Sequence, residues 1–144
     1  MTLVELLVVM AIIGLIVGIS LPALTSYTKQ VRLKTATRQV MSLVSLARSV
    51  AISSHQGHAV VFDADHQAFQ IVNVVSGEAL EHVVHLPASM KVEVEMGGQP
   101  APQAQLVFRA TGSLTGRTSS IILEDNHKQR TITVTGPTGA ISLQ

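Results

Sequence analysis

The sequence has no cysteine and no tryptophan, and its aromatic residues are one tyrosine and three phenylalanines: Tyr27, Phe62, Phe69 and Phe108. Without cysteine there is neither a disulfide framework nor a thiolate metal site, although the compartment stays open. An extracytoplasmic domain of this kind must be held by its own core. So few aromatics supply little stacking surface for bases or sugars. Charge is equally sparse. The formal net charge is +1, too small for a global pull on nucleic acid. At 144 residues the chain has room for one ordinary domain plus a membrane segment. Hydrophobic residues make up 47% and mean hydropathy is +0.40, and the excess is concentrated in the first two dozen residues.

From Leu6 to Thr28 there is no charged residue, and Leu6 to Leu21 is almost wholly aliphatic, interrupted by Gly14 and Gly18. A helix needs about 20 apolar residues to cross a bilayer core, which this run provides. A secretory signal peptide fits less well: no basic residue precedes the run, no small-residue cleavage site follows it, and the helical pattern continues beyond it. Lys29, Arg32, Lys34 and Arg38 all follow the run. By the positive-inside rule they would hold the C-terminal part in the cytoplasm, unless a basic leader once preceded Met1 and has been removed. Glu5 stands at the lip of the apolar run. A carboxylate within lipid is costly, about 2.5–3.5 kcal/mol for an acid at a helix centre. Two readings fit Glu5 equally: an interfacial acid favoured by the helix dipole, or a carboxylate that meets a cation from another chain.

The run Met1-Thr2-Leu3-Val4-Glu5-Leu6-Leu7-Val8-Val9-Met10-Ala11-Ile12-Ile13-Gly14 resembles the start of mature type IV pilins and type II secretion pseudopilins. The resemblance covers about the first 25 residues, with Glu5 in the family's register and Pro22 at a position where prolines are common. It implies a chain cut by a prepilin peptidase and N-methylated on Met1, where the family usually has Phe. It also implies that Glu5 neutralises the N-terminal amine of a neighbouring subunit, an ion pair worth far more in a low-dielectric filament core than in water. The implied partners are other pilin or pseudopilin subunits, the inner-membrane assembly platform, the prepilin peptidase and, before assembly, the lipid bilayer. The implied location is the inner membrane, single-pass with a periplasmic head, and then a filament.

Beyond Tyr27 the pattern turns amphipathic. Leu33, Ala36, Val40, Leu43, Val44, Ala47, Val50 and Ala51 recur at helical spacing, and Ser53, Ser54 and Gly57 supply stop signals. One helix is predicted over residues 2–54, roughly 80 Å at 1.5 Å per residue. Gly14, Gly18 and Pro22 form a weak point that can bend or melt, since Pro22 has no N–H to donate. From His58 the period switches to strands, predicted over His58–Asp63, Ala68–Val75, His82–Leu86, Lys91–Glu95, Gln105–Arg109, Ser119–Glu124, Arg130–Thr135 and Ala140–Leu143. Asp63–Gln67 reads as a hairpin turn and Gly97–Pro102 as a loop. The expected fold is α+β, a long N-terminal helix packed on an antiparallel β head. Its expected divisions are a membrane or filament-core segment over 1–28, an amphipathic continuation over 29–56, and a head over 57–144.

Within the pilin-like family the head resembles the GspH/FimT group. The cues are Ser45–Ile52 running at once into a strand, Phe108 four residues before Gly112, Thr118–Leu123, and the closing Val134-Thr135-Gly136-Pro137-Thr138-Gly139. This implies a structural subunit of a type II secretion pseudopilus, with a type IV pilus subunit as the alternative. Some members are thought to bind DNA through an Arg after the closing glycine, where this chain has Ala140. Arg109, Arg117, Lys128 and Arg130 are the remaining candidates for phosphate contact.

No enzyme signature is present, and neither a cofactor nor a metal is expected. The six histidines lack an HExxH context, and His82 and His85 share a face only on a helix. No G-x-S-x-G elbow accompanies the serines. Asp63 and Asp65 flank a solvated turn, and the glycine pairs 112/116 and 136/139 lack the Gly-Lys-Ser/Thr of a phosphate loop.

Overall fold

The computed structural model describes residues 2–101 and 105–144, with residues 19–26 described by their backbone alone. One helix, α1, spans Leu3–Ser54. Among the described residues nine strands follow: β1 His58–Asp63, β2 Ala68–Asn73, β3 Ala79–His85, β4 Lys91–Met96, β5 Gln99–Pro100, β6 Leu106–Phe108, β7 Ser119–Asp125, β8 Lys128–Val134 and β9 Ile141–Leu143. The fold is therefore α+β, as the change of period at His58 predicts. The chain divides into two compact units, Met1–Arg32 and Leu33–Gln144.

In the first unit α1 is continuous through Gly14, Gly18 and Pro22. Its side chains from Leu3 to Gly18 are exposed. Among the described residues no helix is long and apolar enough to cross a membrane.

In the second unit the amphipathic part of α1 buries the predicted face. Leu33, Ala36, Val40, Leu43, Val44, Ala47 and Ala51 all lie in the core, while Val50 is half-buried. Thr37 shares that face because its hydroxyl donates to the Leu33 carbonyl at 2.7 Å, so the polar group is buried with a partner. The helix ends with His55 in the left-handed region, φ 56°, two residues before Gly57. The hydroxyls of Ser53 and Ser54 both donate to the Val50 carbonyl.

The strands form two antiparallel sheets, a four-stranded one ordered β3-β2-β1-β6 and a five-stranded one ordered β5-β4-β7-β8-β9. Alternation along β7 is complete: Ser119, Ile121, Leu123 and Asp125 point inward. Ile121, Leu123, Ile132 and Val134 meet Val60, Phe69, Ile71, Phe108 and the helix residues in one apolar cluster. Both sheets thus share a core with the helix.

Several boundaries differ from the sequence reading, and three of the differences have a visible local reason. β2 stops at Asn73 although Val74 and Val75 are good strand formers. The Asn73 side chain accepts from the N–H groups of Val75 and Ser76, and the chain turns through Gly77 at φ 73°. β3 starts at Ala79 because the chain returns directly beside Val72. Gly97–Pro102 holds a short strand, Gln99–Pro100, paired with Glu95 and Met96, and Pro102 lies outside the described residues.

Arg48 ties the helix to two distant loops. Its Nε donates to the Gly112 carbonyl and its Nη2 to the Thr138 carbonyl, each at 3.0 Å. Those loops approach so closely that a Cβ on Gly139, which sits at φ 61°, would collide with the Gly112 carbonyl oxygen.

Candidate functional site

At the start of α1, Thr2 and Glu5 cap the helix reciprocally. The Glu5 N–H donates to Thr2 Oγ1 and the Thr2 N–H donates to Glu5 Oε2, both at 3.3 Å. Two of the unsatisfied donors at the helix start are met in this way, as in a capping box. The Thr-x-x-Glu spacing was the available signal for this arrangement, and it adds a local role to Glu5 that the charge argument alone misses. Among the described residues no cation pairs with Glu5. Met1 lies outside the described residues.

C-terminal to this cap the helix presents Leu6, Val9, Met10 and Ile13 beside Glu5. Leu3, Leu7, Ile12, Leu15 and Ile16 are each at least half exposed as well. Exposed apolar surface of this extent marks an interaction surface for protein or lipid. Gly14 and Gly18 have open space where a Cβ would stand.

The four candidate phosphate contacts are spread out. Lys128 opens β8 opposite Asp125, and Arg130 lies opposite Leu123, at one end of the β7–β8 hairpin. Arg117 precedes the other end, where Ser119 pairs with Val134. Seven residues of strand separate these ends, roughly 20 Å at about 3.3 Å per residue. The Arg117 side chain packs over Gly97, and Arg109 Nε donates to Thr115 Oγ1 at 3.3 Å beyond β6.

The histidines are also dispersed. In the β1–β2 turn, His66 Nδ1 meets Asp63 Oδ2 at 2.7 Å, and Asp63 Oδ1 accepts from the N–H groups of Asp65 and His66. The hydrogen bond and charge of Asp63 raise the His66 pKa above its ordinary 6.5, and the same hydrogen bond from His66 lowers Asp63 below 3.8. His58 is buried, with Nδ1 at 3.1 Å from the Gln56 carbonyl. Among the described residues no three histidine, aspartate or glutamate side chains are grouped to hold a metal ion.

Among the described residues, clefts in the second unit include two of note. One, of about 580 Å³, is lined by Phe62, Gln67, Met90, Val92, Ile122 and Glu124, among others, and Gln67 Oε1 is buried there without a hydrogen-bond partner. The other, of about 470 Å³, lies between α1 and β3.

The solved structures that resemble this chain share its fold. The type IV minor pilin FimU of Pseudomonas aeruginosa aligns with a TM-score of 0.65 at 20% identity, covering 82% of this chain and 92% of that one. The minor pseudopilin EpsH of the Vibrio cholerae type 2 secretion system aligns with a TM-score of 0.62 at 19% identity, covering 78% and 96%. No curated protein matches the chain. The family described as "Type II transport protein GspH" matches residues 36–139, which takes in most of the amphipathic part of α1 and nearly all of the β head. Because that match spans well over half of the chain, the chain belongs to the GspH family of pilin-like proteins.

Proposed function

We propose that this chain is a minor pseudopilin, a structural subunit of a type II secretion pseudopilus. The observation that carries the reading is the family match over 36–139. The EpsH fold and the exposed apolar helix are consistent with it. In this proposal residues 1–28 form the filament-core segment, 29–56 its amphipathic continuation and 57–144 the head. Before assembly the apolar run anchors the subunit in the inner membrane with the head in the periplasm. The prepilin peptidase exposes Met1 for N-methylation, and the assembly platform moves the subunit into the filament. There Leu6–Leu21 exchanges lipid for neighbouring helices, with Gly14, Gly18 and Pro22 as the pliable stretch.

Glu5 then has two tasks. Oε2 holds the helix start through Thr2, and the carboxylate charge offers a partner to a neighbour's terminal amine. Glu5→Gln separates them, because glutamine also closes a capping box but carries no charge. The chain has no native cysteine, so engineered cysteine pairs report subunit contacts without background. The expected result is that Glu5→Gln stays in the membrane fraction and loses its inter-subunit crosslinks and secretion. Wild-type crosslinking by Glu5→Gln would remove the charge from the assembly step. A second reading, a type IV pilus subunit, is favoured by the FimU fold. Deletion that abolishes piliation while leaving secretion intact selects it.

A further inference from the structure

β3 is the outer strand of the four-stranded sheet, and its free edge is regular where it borders α1. The Leu86 N–H donates to the Gln67 carbonyl at 2.8 Å, which makes 86 and 67 a hydrogen-bonded pair. In an antiparallel ladder these pairs alternate with non-bonded ones. Val84 opposite Phe69 is therefore bonded inward, while Val83 opposite Gln70 and His85 opposite Ala68 turn their N–H and C=O groups away from the sheet. The register shift between Gln70 and Val72 interrupts the ladder towards Ala79. Edge strands are commonly blunted by lysine, proline or a bulge. Here the bulge guards the first half only, and β3 itself contains neither lysine nor proline.

Over this edge lies a polar stripe of α1: Thr35, Arg38, Gln39 and Ser42, at i, i+3, i+4 and i+7. Together with His82 and His85 they line the 470 Å³ cleft. Arg38 is exposed, and among the described residues no carboxylate pairs with it. The one acid of β3, Glu81, is not among the cleft-lining residues. Among the described residues, the cleft therefore joins two backbone positions without a ladder partner to an unneutralised guanidinium flanked by imidazoles and neutral hydrogen-bonding groups.

We propose that the β3 edge docks an extended acidic segment of a partner polypeptide, added as a fifth strand beside Val83 and His85 with a carboxylate on Arg38. Main-chain pairing supplies the binding and the side-chain cleft supplies the selection, as in other strand-addition sites. A planar guanidinium favours a carboxylate in a fixed fork. This inference stands apart from which filament owns the subunit.

The test uses the full chain in detergent micelles and a fluorescent hexapeptide of alternating valine and glutamate. Its controls are the same peptide with glutamine for glutamate, and one N-methylated on alternate backbone nitrogens. The expected result is tenfold or greater preference for the acidic peptide over the glutamine peptide, with hydrogen exchange slowed at Val83 and His85. Arg38→Gln should erase that preference. Val83→Pro, which removes an outward N–H and no ladder bond, should abolish binding, and the N-methylated peptide should fail on wild type even if Val83→Pro does not fold. Equal binding of the two peptides, protection elsewhere on the head, or no binding at millimolar peptide overturns the proposal. So does a concentration-dependent dimer that protects the same two amides while excluding the peptide, since the edge would then serve a second copy.

Discussion

Asp63 and His66 show how one short turn couples geometry to titration. Their contact at 2.7 Å is exposed, so its energetic contribution is small and screened by salt. The sign of its pH dependence is nevertheless defined. The raised His66 pKa contributes stability that is complete below the ordinary histidine value of 6.5 and is lost as pH rises through the folded value. The lowered Asp63 pKa contributes stability above 3.8 that is lost as pH falls through its own folded value. The pair is therefore at its best between about pH 4 and 6.5. An NMR titration should place the His66 midpoint above the ordinary histidine value, and Asp63→Asn should return it there. An unchanged midpoint in Asp63→Asn would mean that the contact does not persist in solution. Other residue roles divide by range. The Thr2–Glu5 cap is readable from a four-residue spacing, since both partners lie within one turn. The Arg48 bridge spans 64 and 90 positions of sequence, and no local pattern marks the carbonyls it meets.

Among the elements, the β7–β8 hairpin shows where propensity yields to pairing. Its register runs without a break from Ser119↔Val134 to Asp125↔Lys128, which leaves Asn126 and His127 as a two-residue turn. Their φ angles are 51° and 64°, the conformation of a type I′ turn. Asparagine suits the first position, but a histidine in the left-handed region costs about 1 kcal/mol or more. His127→Gly should therefore stabilise the head by roughly 0.5–1 kcal/mol, seen as a raised melting temperature in detergent. A lower melting temperature would show that the imidazole holds the turn through a contact that outweighs its backbone strain. The sequence reading leaves 125–129 between strands because Asn-His is a weaker turn signal than Asn-Gly. Strand centres were legible from alternation, but strand ends were decided by turn chemistry. Asn73 terminates β2 ahead of two valines, of which Val75 is 79% exposed.

For the molecule as a whole, the two compact units differ in how they satisfy their apolar surface. Leu33–Gln144 encloses a cluster drawn from α1 and both sheets, including fully buried Leu43, Phe108, Ile121 and Ile132. The first unit exposes its aliphatic side chains from Leu3 to Val17. Residues 33–144 should consequently fold without detergent and unfold in one cooperative transition by circular dichroism, whereas the full chain should need detergent to remain dispersed. A non-cooperative melt of 33–144 would show that the head depends on the first 32 residues. The same division explains how much was legible. The apolar run, the amphipathic face from Leu33 to Ala51 and the switch of period at His58 are patterns of neighbours along the chain. A helix or strand responds to that local order through its own repeat, so sequence alone determined the α+β class, the helix and most strand centres. The strand order of the two sheets, the free edge of β3 beneath Arg38, the dispersal of Arg109, Arg117, Lys128 and Arg130, and the Arg48 bridge were decided only in the tertiary structure. Each of them joins groups far apart in sequence, and such pairings are selected by the packing of the whole core rather than by any local preference.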